Sequence, residues 1–165
     1  MNHRGAVGPH VLVAAALAAG CAGAGDPRPP YGPVDGALET TVHVLPYRVI
    51  EAAVGVFVDK GYAVRLFSPE HGYLETAFVD VTSGGFTSVW GASELPVKFR
   101  LRADHSNGGS RVVLEVLYRP RALRGAGERF ETEMVPAAHP GHPEGRRILE
   151  RLREALGEPA VADSV

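Results

Sequence analysis

Apolar residues recur at helical spacing in two stretches of the chain and alternate with polar ones between them. Over residues 46–60, Tyr47, Ile50, Val54 and Phe57 share one stripe, widened by Val49, Ala53 and Val56, which predicts a mostly buried helix. Pro46 suits its first turn, where a missing N–H leaves no bond unmade. Gly61 can end it in a left-handed conformation, with Tyr62 folding back on Phe57 as in a Schellman stop. The second stretch starts near His142 and Pro143 and puts Ile148, Leu149, Leu152, Ala155 and Leu156 on one face, with Arg147, Glu150, Arg151 and Glu154 opposite. Gly157 stops it.

Between the helices the period changes to two. Val97, Phe99, Leu101 and Ala103 alternate with Lys98, Arg100 and Arg102, the pattern of a strand with one buried and one wet face. Residues 104–110, with Asn107-Gly108-Gly109, turn this strand back into residues 111–118. The inward set must meet the inward set Val112, Leu114, Val116 and Tyr118, so Ala103 pairs with Val112 and Arg100 lies opposite Glu115. Shorter strands are expected over 41–44, 62–67 and 73–81, with Ser68-Pro69-Glu70-His71-Gly72 as a turn, and over 128–135, where Phe130, Thr132 and Met134 alternate with charged neighbours. This order lacks βαβ alternation after the first unit. It predicts an α+β fold, an antiparallel sheet of about five to six strands with two helices packed on one face.

The chain before the domain has a different character. Arg4 is followed by an apolar run from Val11 to Leu17, then by Ala18, Ala19, Gly20 and Cys21. A spanning helix would need roughly 20 strongly apolar residues, and this run is about half as long and rich in alanine. Small residues before Cys21 resemble the lipobox that closes a bacterial lipoprotein signal peptide, although Leu17 lies one place upstream of the usual aliphatic position. The resemblance implies removal of residues 1–20 and a diacylglycerol on the Cys21 thiol. Residues 21–38, dense in Gly, Ala and Pro, read as a flexible tether that spans about 23 Å as a coil and approaches about 50 Å when extended. A single domain over 39–157 and an unstructured tail over 158–165 complete the division.

Cys21 is the only cysteine, so the folded part holds no internal disulfide and depends on packing. Seventeen basic and nineteen acidic side chains leave the charge near balance, and losing Arg4 with the signal changes little. No concentrated basic excess points to nucleic acid. The sequence contains neither a Gly-x-Ser-x-Gly elbow nor a phosphate-cradling glycine loop followed by lysine. His139, His142 and Glu144 offer metal-donor types, but Pro140, Gly141 and Pro143 among them favour a helix-entry loop. Glu70 and His71 can be imagined as an acid–base pair, yet they fall in a turn without a third orienting group. No cofactor, metal or catalytic residue is assigned.

Two surfaces remain as partner-binding candidates. Lys98, Arg100 and Arg102 form a basic stripe on the outer sheet face, read either as a solvated face or as a surface for an anionic partner such as lipid headgroups or an acidic protein patch. In the 83–95 loop, Phe86 and the sole tryptophan, Trp90, either cap the end of the core or form an aromatic anchor. The element order, the glycine-terminated first helix at Gly61 and the Gly72 turn resemble the small domains of envelope lipoproteins of the BamC kind. That resemblance implies a non-enzymatic binding or assembly module, membrane-attached through Cys21 and serving an envelope protein partner. With Ala22 and not an aspartate after the cysteine, the outer membrane facing the periplasm is the expected location. The alternatives are a lipoprotein that binds a small apolar ligand between sheet and helices and, further off, an enzyme with a dispersed site.

Overall fold

In the computed structural model, which describes residues 35–81, 85–86, 96–118 and 132–159, strand β1 (Leu38–Val42) leads into helix α1 (Pro46–Asp59). Strand β2 (Val64–Ser68), a 3-10 turn (Pro69–His71), β3 (Tyr73–Thr76) and the two-residue strands β4 (Val79–Asp80) and β5 (Gly85–Phe86) follow. The long strands β6 (Pro96–Ser106) and β7 (Gly109–Tyr118) come next, then the short β8 (Glu133–Met134) and helix α2 (Gly141–Ala155). Five principal strands lie antiparallel in the order β1-β7-β6-β3-β2. The short strands join at the sides, β4 on β6, β5 on β4 and β8 on β7.

Both helices pack on one face, α1 over β6 and β3, α2 over β7 and β1, as the period change predicts. Val49, Ile50 and Phe57 of α1 and Ile148 and Leu152 of α2 meet Phe99, Leu101, Leu114 and Val116, all buried. Each such side chain stabilises the fold by about 1.5–3 kcal/mol relative to exposure. The register of β6 with β7 is the one required by the alternation: Ala103 lies opposite Val112 and Arg100 opposite Glu115. The ladder extends further than expected, to Ser106 and Gly109, so the connection is the two-residue turn Asn107-Gly108.

Helix α1 ends as a Schellman motif. Gly61 takes φ 75°, its N–H donates to the Val58 carbonyl at 2.8 Å, and the Tyr62 N–H donates to Phe57 at 2.9 Å. The ring of Tyr62 then stacks on Phe99, 5.5 Å between centroids, with Phe57 5.7 Å from the same ring. One expectation fails on this helix: Tyr47 is exposed, because the buried stripe centres on Val49, Ile50, Ala53 and Phe57 and leaves Tyr47 on the flank. The segment expected as one strand over 73–81 is broken. Glu75 pairs with Arg100 but Val79 with Val97, so three residues of one strand oppose two of the other, a bulge. Thr76 Oγ1 fills the gap in the ladder by accepting the Phe99 N–H at 3.1 Å.

The last strand reduces to Glu133–Met134 among the described residues, and Phe130 lies outside them. Helix α2 starts slightly earlier than expected, at Gly141, and Glu158, just past Gly157, is bonded to the domain, while residues 160–165 lie outside the described residues. The Glu158 N–H donates to the Arg153 carbonyl, and the Glu158 carboxylate accepts from the backbone N–H and Nδ1 of His43, the latter at 3.0 Å. Arg153 meanwhile donates to Thr40 Oγ1 and to the Thr41 carbonyl on β1.

At Gly72 the backbone is left-handed (φ 61°) and a Cβ would run into the carbonyl oxygen of Ala103. Strain and clash act together there, so Gly72→Ala is expected to lower the urea-derived unfolding free energy by more than about 2 kcal/mol.

Candidate functional site

Period-two alternation in β6 sends Lys98, Arg100 and Arg102 to the sheet face away from the helices, and β3 and β7 place carboxylates beside them. Glu75, opposite Arg100 on β3, takes Lys98 Nζ at 3.1 Å on one oxygen and Arg100 Nε at 3.3 Å on the other. Glu115, opposite Arg100 on β7, binds Arg100 Nη1 at 3.0 Å and Arg102 Nη2 at 3.5 Å. Tyr73 donates its hydroxyl to Glu75 at 3.0 Å. Charges therefore alternate across three strands in one connected row.

This row is not a free cationic surface. Tyr73 is 1% exposed, Arg102 2%, Val113 3% and Leu117 4%, and Phe78 lies with its ring 5.7 Å from Lys98 Nζ. Neither the solvated face nor the open anion-binding surface describes it, because each cation is turned onto a carboxylate of a neighbouring strand. Alternation along β6 reveals which way the cations point. Their partner Glu75 becomes visible only once β3 is paired with β6.

The electrostatics follow from that burial. Desolvation pushes the Glu75 carboxyl up, but Lys98, Tyr73 and Arg100 outweigh it and hold the group below the ordinary carboxylate range. Desolvation and the neighbouring Glu75 push the Tyr73 phenol up to about 12. Burial would lower Arg100, yet Tyr73, Glu115 and Glu75 leave it more basic than usual. Glu75, Tyr73 and Arg100 are each moved away from neutrality, which fixes their charge states.

A second polar centre fastens the helices. Glu144, in the first turn of α2, accepts from Lys60 Nζ at 2.7 Å, Tyr62 Oη at 3.0 Å and Arg147 Nη1 at 3.1 Å. Burial opposes its ionisation and these donors more than offset it, lowering its pKa. His139 is also buried. Its Nδ1 accepts the Gly141 N–H at 3.0 Å, its ring lies 5.4 Å from Tyr118, and its Nε2 has no hydrogen-bond partner. Glu144 and His139 are thus committed to separate partners, and among the described residues no group of three His, Cys, Asp or Glu side chains is placed to hold a metal ion.

At the Gly72 turn, Ser68 Oγ donates to Glu70 Oε1 at 2.7 Å and lies 2.8 Å from His71 Nδ1. A hydroxyl has one proton, and with Glu70 taking it, His71 Nδ1–H becomes the donor to Ser68. The imidazole supports the serine oxygen instead of deprotonating it, so the cluster closes the turn.

Exposed apolar side chains occur elsewhere. Leu66 and Phe67, the latter 49% exposed, sit on β2, the strand that ends the sheet, on its two opposite faces, and Tyr47 and Val58 project from α1. The sequence reading missed the exposure of Leu66 and Phe67. A bulge at Arg65, seen as Val64 opposite Thr76 but Leu66 opposite Glu75, shifts the alternation of β2 by one and cannot be read from periodicity. Cys21 and Trp90 fall outside the described residues, and of Phe86 only the backbone pairing with Val79 is described. Among the described residues no helix is long and apolar enough to cross a membrane. Comparison with known proteins finds no family model and no curated protein that matches the chain.

Removing one charge from the buried row leaves the others poorly compensated. Glu115→Gln is expected to cost about 3 kcal/mol in urea unfolding, whereas Glu39→Gln, at the half-exposed pair with Arg111, should cost under about 1 kcal/mol. Burial lowers the His139 pKa below its ordinary 6.5. The unfolded chain then gains a proton first as pH falls through that value, and stability drops until the folded-state pKa is reached. His139→Asn, whose Oδ1 can keep the bond to Gly141, should show a shallower loss of the urea midpoint between about pH 7 and pH 5.

Proposed function

We propose that this chain is a lipid-anchored cell-envelope protein whose α+β domain is a non-enzymatic binding or assembly module. Attachment is through Cys21, at the outer membrane on its periplasmic side. The observation that carries the reading is the apolar run closed by Ala18-Ala19-Gly20-Cys21 and followed by a Gly- and Pro-rich segment. One buried acyl chain binds a bilayer only marginally, and two or more make attachment lasting. The domain's polar clusters support a binding role in a specific way: the buried row on the sheet, the Glu144 centre and the Ser68 cluster are each engaged in holding the fold. The apolar side chains at the β2 edge and the α1 flank are not so engaged. An envelope protein is the partner this surface suits.

Mass spectrometry of the protein from membranes is expected to show residues 1–20 removed and a lipid on Cys21, and Cys21→Ser should move the chain to the soluble fraction. A bare thiol would end the reading. For the binding role, Phe67→Glu should leave the melting temperature nearly unchanged, since the side chain is half exposed. It should abolish the envelope-protein cross-link formed by a photo-reactive residue at Leu66. No cross-link from Leu66 in the unsubstituted protein would count against this surface.

A further inference from the structure

The outward face of α1 carries three features that are unfavourable for a helix standing alone in water. Tyr47 near one end and Val58 near the other are exposed apolar side chains. Between them Gly55 is exposed, and a Cβ there would meet nothing, so the single domain has no need of a residue that weakens helix interiors. The charges also run against the helix dipole: Arg48 stands in a first turn with no acidic residue, and Asp59 closes a last turn with no basic one. Lys60, just beyond, is drawn away to Glu144.

The three features share one geometry. At about 3.6 residues per turn, Tyr47, Val54 and Val58 line one side of a seam through Glu51, and Arg48, Gly55 and Asp59 line the other. An antiparallel copy, related by a two-fold axis at the level of Ala53, brings like sides of the two seams together. Tyr47 then meets Val58 of the other copy, Arg48 meets its Asp59, and Glu51 lies over its Gly55, all from a single position of the axis. Each Arg48 reaches the carbonyl end of the opposite helix and each Asp59 the amide end, so charges that oppose their own dipole complement the other one. Glu51 pairs with Arg48 within each helix at 3.4 Å, which places that cation between two carboxylates. Gly55 lets the backbones approach to the lower end of the usual range of about 8–10 Å between packed helices.

We propose that the outward face of α1 binds a second copy of this chain, forming an antiparallel two-fold dimer through Tyr47, Arg48, Gly55, Val58 and Asp59. This pairing does not depend on the lipid anchor. It gives the α1 flank to a copy and leaves the β2 rim to the envelope partner proposed above. A helix of 14 residues is about 21 Å long and about 10 Å across, well short of the roughly 800 Å² per partner of a standard interface. The dimer is therefore weak and responds to concentration.

Thiols test the orientation. In the full chain with Cys21→Ser, Tyr47→Cys and Val58→Cys are made separately, and the two proteins are oxidised alone and as a mixture. The dimer sets position 47 of one copy beside position 58 of the other, whereas two copies of either position stand about 15 Å or more apart along the axis, beyond disulfide reach. The mixture should give several-fold more disulfide-linked dimer than either protein alone; an equal or smaller yield overturns the proposal. Sedimentation velocity of the Cys21→Ser chain over a range of concentrations tests the charges. Arg48→Asp and Asp59→Arg should each weaken self-association at least several-fold, and the double exchange should recover part of the loss. Far-UV circular dichroism should show both single variants fully folded, since each removes a charge that opposes the helix dipole. Self-association indifferent to both single changes, a double exchange no better than either, or monomer alone at about 1 mM protein overturns the dimer.

Discussion

A shift of β7 by one residue against β6 would carry Leu114 and Val116 out from under the helices and drive Glu115 into the apolar layer. The rest of the structure depends on that register. On the helix side it presents a continuous apolar face to Phe57, Ile148 and Leu152. On the other it sets Arg100 between Glu75 and Glu115, so that every cation in the row has a carboxylate in reach. A buried ion pair contributes little net stability against an apolar replacement, but losing one member is costly. The charged row therefore penalises slipped pairings more than it strengthens the correct one.

Much of this was legible in the amino-acid order. The long hairpin alternates without interruption, so its facing, its register and the Arg100–Glu115 pair follow from period alone. The stop at Gly61 follows from one glycine between Phe57 and Tyr62. Legibility ends where a strand departs from regular spacing. The extra residue opposite Lys98 and Phe99, and the bulge at Arg65, each move a side chain to the other face without any mark in the hydrophobic pattern. Tyr47 is a related case, an apolar residue at the margin of a helical stripe whose burial depends on what packs beside it.

The candidate site was less legible than the fold for the same reason. Lys98, Arg100 and Arg102 were found as a stripe, but a stripe of cations acquires its meaning from what the neighbouring strands bring, and Glu75 arrives from a strand 25 residues away. Glu144, 84 residues from Lys60, is more distant still. Its position in the first turn of α2 is favourable for a carboxylate in any helix, so nothing local distinguishes it as the tie between two helices.

The two ends of the sheet are treated differently, and this bears on how the molecule behaves in a crowd. At β1, Arg153 donates to the backbone of Thr41 and Glu158 takes the N–H of His43, so the rim that could recruit another chain is already occupied by the C-terminal end of α2. At β2 the rim carries Leu66 and Phe67, but a bulge and the exposed Arg65 interrupt it. Irregular backbone and an outward charge are common deterrents to uncontrolled strand-on-strand polymerisation. On the anchoring proposed above, the domain would be confined to two dimensions and would meet its own copies far more often than one free in solution, and these guarded borders would let an apolar rim persist without seeding fibrils.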